Sequence, residues 1–275
     1  MRKSRMPIKI EHLASVLECC GYSAGLILYF RMENTLDKIA VYTGSRNIYE
    51  DMLVASKSLI AHSDVDKVYF LIEDDIFPYD IPNIIETKNV SEQEYFNPWG
   101  PNSTTKFTYF AMMRAALAHE FPEYERLLSL DCDTIVVRDV SHIWNLPIND
   151  YYFAASKEPG RSKFGLTYTN VGVALMNLHK LRNGKADECI DVLNRQQFKF
   201  VDQDVMNYLC AGYVYDMHSE YNANEYTTPV QNPRIIHFAG MKRDRWHRHP
   251  TVKKYNAMSW DEVFAMRKQN KEYPD

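Results

Sequence analysis

RLLSLDCDTIVVRDV, residues 126–140, begins as an apolar strand of the buried type and runs directly into two aspartates one residue apart, Asp131 and Asp133. A short continuous apolar run of this kind fits a strand covered on both faces by helices. The flanking sequence agrees. KIAVYT (38–43) and KVYFLIE (67–73) are short β-branched and aromatic runs, and between them Asn47 to His62 carries Ile48, Met52, Ala55, Leu59 and Ile60 at helical spacing. Thr105 to His119 is helical by pattern and stops near Pro122. Further on, YYFAAS (151–156), VGVALMNL (171–178) and RIIHFAG (234–240) read as strands, and Lys185 to Gln197 and Asp204 to Cys210 as helices. Ser259 followed by Glu262 makes a capping box that starts a last helix. Strands alternating with helices predict an α/β sheet flanked by helices. In such sheets ligands sit beyond the carboxyl ends of the strands, so polar residues that follow a strand are the candidates for chemistry.

The 275 residues suffice for one large domain or two small ones. Hydrophobic residues at 45% and charged residues at 25% exclude collagen-like, low-complexity and disordered chains. Lys and Arg number 32 against 36 Asp and Glu, and a net charge of −4 argues against general nucleic-acid binding, which rests on phosphate neutralisation. The five cysteines (19, 20, 132, 189 and 210) show no C-x-x-C spacing, which fits a reducing compartment. The longest uncharged run, Cys19 to Phe30, has twelve residues, short of the roughly twenty a spanning helix needs. The basic start MRKSRMPIK is followed by Glu11, His12 and Glu18 rather than an apolar signal core. These features predict a soluble, cytoplasmic protein. Residues 1–37 read as an N-terminal extension ahead of one domain over 38–275.

Asp131 and Asp133 can project into one site at the end of their strand. Unpaired they would repel each other, and a hard divalent cation relieves that repulsion; a solvated turn is the competing explanation. His237 ends the strand of RIIHFAG, where it is either a structural histidine or a ligand suited to Mn²⁺. Gly240 permits close backbone approach, and Lys242, Arg243 and Arg245 follow with charge suited to a diphosphate. Asp202-Gln203-Asp204 opens a helical stretch, either as an acidic first turn or as a polar set that orients a sugar. Asn170 and Gly172 open an apolar strand and read equally as a turn. Arg114 lies on an otherwise apolar helix, as a snorkelling surface residue or a buried anion partner. The basic run 242–254, with Trp246, is a solvated face, a phosphate-closing loop or a contact for a lipid head group. No P-loop, dinucleotide fingerprint or nucleophile elbow is present in the sequence.

MMRAALAHEFPEYERLLSLDCDTIVVRDVSHIW (112–144), TNVGVALMNLHKLR (169–182), VDQDVMN (201–207) and HFAG (237–240) resemble, in that order, the motifs of glycosyltransferase family 8. Those are retaining enzymes of the GT-A fold, glycogenin and galactosyltransferases among them. The resemblance runs from about Lys38 to Trp246. It implies a Rossmann-like nucleotide-diphospho-sugar transferase with a mixed sheet flanked by helices. Asp131, Asp133 and His237 would hold Mn²⁺, with Mg²⁺ the alternative. Tyr42, Thr43 and Asn47 would cradle uridine. Cys132, Asn170 and Gly172 would line the donor, and Gly240, Lys242 and Arg243 its diphosphate. Arg114 would contact donor phosphate or sugar. Asp202, Gln203 and Asp204 would sit by the donor sugar, Gln203 in a stabilising role because an amide is a poor nucleophile. The implied reaction moves a hexose from a nucleotide sugar, most often UDP-linked, to a glycan, lipid-linked or other hydroxyl acceptor with retention, and a lipid-linked acceptor would bring peripheral membrane contact.

The sequence departs from the family pattern in two places. The family's Gly-x-x-Lys-Pro-Trp reads Gly240-Met241-Lys242-Arg243-Asp244-Arg245-Trp246, with Arg243 at the Lys position and Trp246 one residue late. Ser45 and Ile48 stand where an acidic and an aromatic residue are usual, with Tyr49 adjacent. Acceptor contacts would come from the loops 77–101, 159–167 and 219–229. Two other functions stay open on sequence: a nucleotide-sugar or glycan-binding protein without turnover, and a haloacid-dehalogenase-like phosphatase with Asp131 as nucleophile. The phosphatase motif normally opens its fold, whereas strands and helices precede it here.

Overall fold

The computed structural model describes residues 37–103, 108–161, 167–240 and 243–272. The extension expected over 1–37 therefore lies, apart from Asp37, outside the described residues. The strands are β1 (Ile39–Thr43), β2 (Lys67–Ile72), β3 (Ile85–Asn89), β4 (Arg126–Leu130), β5 (Thr134–Val136), β6 (Phe153–Lys157), β7 (Thr169–Asn177), β8 (Val214–Asp216) and β9 (Ile235–His237). Seven of them form one sheet in the order β3-β2-β1-β4-β7-β6-β8, and β5 pairs with β9 in a separate ribbon. Within the large sheet β7 alone runs against its neighbours.

The helices are α1 (Tyr49–Ala61), α2 (Tyr109–Glu120), α3 (Leu178–Arg182), α4 (Lys185–Arg195), α5 (Val201–Leu209), α6 (Arg243–Arg248), α7 (Pro250–Ala257) and α8 (Trp260–Glu272). The pleat of β1 explains the layers. Ala40 and Tyr42 face a core shared with α1, α7 and α8, whereas Ile39 and Val41 face one shared with α2, α4 and α5. All nine residues of β7 are buried, as expected of a central strand covered on both faces. Ser259 caps α8 as expected: its backbone N–H and hydroxyl both donate to Glu262, at 2.7 and 2.8 Å.

The basic run 242–254, expected as a loop or solvated face, is helical over Arg243–Arg248 and Pro250–Ala257. Its anchor is Trp246, 1% exposed, whose indole donates to Asp51 on α1 at 2.9 Å. Among the described residues no helix is long and apolar enough to cross a membrane.

The chain passes from β1 outward to β2 and β3, then returns to the other side of β1 as β4. The crevice beyond the carboxyl ends of β1 and β4 is therefore the switch point of the sheet, where ligands bind in folds of this kind. The two strand ends are tied together there, since the Cys132 thiol donates to the Thr43 carbonyl at 3.3 Å.

Candidate metal and donor site

Four chain segments meet at this crevice. Asp131 and Asp133 leave the end of β4. Because β7 is antiparallel, its first residues reach the same rim: Asp131 donates its backbone N–H to the Gly172 carbonyl at 2.7 Å. The β5–β9 ribbon sets Thr134 opposite His237 and so delivers the imidazole beside both carboxylates. Its Nε2 lies 3.5 Å from Asp131 Oδ2 and 3.3 Å from Asp133 Oδ1. One ligand atom from each of the three residues falls within 4.8 Å of the others. The carboxylate side chains are 39% and 37% exposed and the His237 side chain 3%, so the cluster opens toward solvent on its carboxylate side.

Gly172 is obligatory here for space. A Cβ on it would stand 2.1 Å from His237 Cε1 and 2.7 Å from Asp131 Oδ2. The sequence placed Gly172 against the donor; in the structure its missing side chain makes room for two of the clustered groups. Gly240 has a φ of 81°, and a Cβ there would meet the Tyr226 hydroxyl at 2.8 Å, so both its backbone conformation and its close packing call for glycine.

Arg114 is the buried anion partner, 7% exposed. Its guanidinium bonds Asp131 and Asp202 together, and its Nε donates to Ser129 at 3.1 Å. Burial opposes the charge on Asp131, but Arg114 and then His237 hold the carboxyl well below the usual range. Burial dominates at Asp202 and pushes it up to about 6 against the pull of Arg114. At His237 burial disfavours the cation, yet the opposing contributions of Asp133 and Asp131 together outweigh it and push the ring up to about 10. Two carboxylates, Asp131 and Asp202, thus share one guanidinium, while Asp133 faces the His237 ring, whose protonated, positively charged form both Asp131 and Asp133 favour. A divalent cation could replace that proton with the sign of charge the cluster lacks. Two carboxylates and an imidazole suit Mn²⁺ better than Mg²⁺, which favours oxygen alone.

Asp202, Gln203 and Asp204 lie on the first turn of α5. Val201, just before them, has a φ of 29°, an unusual conformation for a β-branched residue, and is buried. Gln203 Oε1 accepts the Val171 N–H at 3.3 Å and its Nε2 donates to the Tyr168 hydroxyl at 3.1 Å, which aims the amide at the rim of β7. Asp204 accepts from Tyr168 at 2.6 Å and from the Phe200 N–H at 3.0 Å, as an acidic first-turn residue.

Other expected residues fall elsewhere. Tyr42, expected against uridine, has its ring in the core, fully buried and edge-on to Phe70. The alternation of β1 that buries Ala40 on one face sends Tyr42 to the same face. Thr43 and Asn47 do lie at the strand end; Thr43 donates to the Phe110 carbonyl at 3.2 Å, and Asn47 accepts from Ser45 at 2.5 Å. Cys132 is buried and its thiol is pushed well up, chiefly by burial, so it is unreactive packing beside the crevice. Asn170 lies inside β7 and is buried, donating to Glu158 at 2.7 Å. Lys242 and the side chain of Arg243 lie outside the described residues. Sequence reasoning missed Asn222, which is fully buried and faces His237 Nδ1 at 2.8 Å, and Asn207, whose side chain bridges Thr169 and Gln203. Asn222 sits in the Asn-rich stretch 219–229, which resembles a solvated loop.

The description "Glycosyl transferase family 8" matches residues 41–249. General stress protein A of Bacillus subtilis is 25% identical over 217 residues, covering 67% of this chain and 74% of that protein. The lipopolysaccharide 1,2-glucosyltransferase of Escherichia coli is 28% identical over 162 residues, 48% of each chain. Among solved structures, the glycosyltransferase GlyE of Streptococcus pneumoniae superposes with a TM-score of 0.66 at 18% identity, covering 86% of this chain and 64% of that one. The galactosyltransferase LgtC in complex with donor and acceptor sugar analogues gives 0.59 at 19% identity, covering 84% and 96%. This chain spans about half the length of the curated glucosyltransferase it matches and about a third of the pneumococcal GlyA, at 33%. These structures share the GT-A arrangement of mixed sheet and flanking helices. With its family match spanning most of the domain, and with that fold, the chain belongs to glycosyl transferase family 8 and is a glycosyltransferase.

Proposed function

We propose that the protein transfers a hexose from a UDP-linked sugar to a hydroxyl of a carbohydrate acceptor, with retention of configuration and with a divalent cation, Mn²⁺, in the site. The observation that carries this is the convergence of Asp131, Asp133 and His237 at the switch point of the sheet, their ligand atoms within 4.8 Å. When bound there, the cation supplies Lewis-acid stabilisation of the nucleoside diphosphate leaving group. This chain's own residues do the remainder. Arg114 holds Asp131 in place and balances its charge. Gly240 lets the backbone approach the diphosphate, and the sequence supplies positive charge two and three residues on, at Lys242 and Arg243. Gln203, fixed at both ends of its amide, is assigned to the donor sugar, where the second lone pair of its carbonyl would stabilise positive charge at the anomeric carbon. Asp202 is paired with Arg114, and Asp204 with Tyr168 and Phe200. Neither is poised to attack, which favours acceptor entry on the leaving-group face over a covalent intermediate.

Family membership sets aside the phosphatase alternative for Asp131. Donor hydrolysis separates the enzyme from a binding protein without turnover. Mn²⁺-dependent release of UDP from UDP-glucose or UDP-galactose, abolished by Asp133→Ala, is the expected result. UDP-sugar bound without any release, with no acceptor from a glycan panel restoring it, would support the binding protein instead.

A further inference from the structure

Behind His237, on the ring nitrogen opposite the one that faces the two aspartates, runs a chain of buried polar side chains. His237 Nδ1 faces Asn222 Oδ1 at 2.8 Å. Asn222 Nδ2 donates to Asn170 Oδ1 at 2.9 Å and to the Asn170 carbonyl at 3.1 Å. Asn170 Nδ2 donates to Glu158 Oε1 at 2.7 Å. Exposures are 4% for His237, 0% for Asn222, 5% for Asn170 and 1% for Glu158, so water does not compete along the chain. At the far end Arg161 Nε lies 3.1 Å from Glu158 Oε2, its guanidinium held between the rings of Phe200 and Tyr226 at 4.5 and 4.3 Å.

The order of these groups has one sense. A carboxylate only accepts, so Asn170 must turn its NH₂ toward Glu158 and its oxygen toward Asn222. The Gly172 N–H, which donates to Asn170 Oδ1 at 3.1 Å, fixes the same sense. Asn222 must then present its NH₂ to Asn170 and its oxygen to His237, and the Asn224 amide donates to that oxygen as well, at 3.0 Å. An oxygen that only accepts requires a proton on Nδ1. A neutral His237 therefore keeps its lone pair on Nε2, the nitrogen that faces Asp131 and Asp133.

We propose that Glu158 is a positioning residue for the metal site: through Asn170 and Asn222 it locks the tautomer and ring orientation of His237 so that Nε2 serves as ligand. This rests on the metal assignment made above. Partners of this kind behind a ligating histidine change metal affinity by 10–100-fold.

The test measures Mn²⁺ affinity of the full chain by electron paramagnetic resonance of free Mn²⁺, without nucleotide, alongside thermal melting in EDTA. Glu158→Leu removes the terminal acceptor and is expected to weaken Mn²⁺ binding tenfold or more. Glu158→Gln keeps an acceptor oxygen and is expected to stay within about threefold of the parent. A merely structural Glu158 would lower the melting temperature in Glu158→Leu and leave Mn²⁺ affinity within twofold, which overturns the proposal. Should Glu158→Leu not fold, Asn222→Leu breaks the same relay one step nearer the ring and is expected to lose tenfold or more. An Asn222→Leu affinity within twofold of the parent overturns the proposal too. No Mn²⁺ binding by the parent overturns the metal assignment and this inference with it, a result distinct from parental binding that the variants leave unchanged.

Discussion

Gly172→Ala puts one methyl group into the most crowded point of the site. The new Cβ would stand 2.1 Å from His237 Cε1, where ordinary contact begins at 3.4 Å, so the ring must retreat by about 1.3 Å. The strand cannot give way instead. β7 is buried along its whole length, and the Gly172 carbonyl accepts the Asp131 N–H at 2.7 Å. Metal–ligand distances tolerate about 0.2 Å, so a displacement several times larger removes His237 as a ligand. Losing one of three protein ligands is expected to weaken Mn²⁺ binding by roughly 100-fold or more, about 2.8 kcal/mol at about 1.4 kcal/mol per decade. Overpacking of this size costs about 1–3 kcal/mol of stability, within what a folded domain survives. Calorimetric Mn²⁺ titration and urea unfolding of the same preparations separate the two effects. A folded Gly172→Ala protein with Mn²⁺ affinity within threefold of the parent would refute the assignment of His237 to the metal.

Arg114→Met leaves Asp131 and Asp202 without their shared guanidinium and is expected to cost about 3–5 kcal/mol in urea unfolding. Asp202→Asn in that background should recover part of the loss, and strictly additive effects would contradict the coupling. In the metal-free protein His237 is raised from an unfolded value of about 6.5 to about 10. Its contribution to stability is complete below pH about 6.5 and is lost as pH rises through about 10, a slope that His237→Gln should abolish. Mn²⁺ binding at pH 8 should accordingly release close to one proton per site, read from calorimetry in two buffers of different ionisation enthalpy. Trp246→Phe removes the indole donor to Asp51 and is expected to cost about 2 kcal/mol, with the α6 segment gaining hydrogen exchange before the central strands.

The strands that carry the site were readable because they are buried on both faces and so are written as apolar runs. RLLSL fell where expected, RIIHFAG is a strand only over Ile235–His237, and the polar residues at these ends, Asp131, Asp133 and His237, come together at the crevice. β3 escaped notice because only Ile85 of its five residues is buried, and an edge strand that is mostly polar carries no hydrophobic period. The helices α6 and α7 were hidden by charge, since their hold on the domain is through Trp246, Val252 and Tyr255 in a run otherwise basic and polar. Tyr42 shows the limit of motif transfer: it lies near the end of β1, but its ring is buried against Phe70, and both faces of β1 pack into core, so neither face of the strand opens onto the crevice. Asn222 and Glu158 could not be found from sequence. Each is an isolated polar residue whose partner comes from another segment, and only the fold brings Asn222 beside His237.

The most direct test of the account is calorimetric titration of UDP into the protein, with Mn²⁺ present and again in EDTA. Binding with Mn²⁺ and none in EDTA is the predicted result. Equal affinity in both conditions, or no binding in either, would contradict a metal-bridged nucleotide site at Asp131, Asp133 and His237.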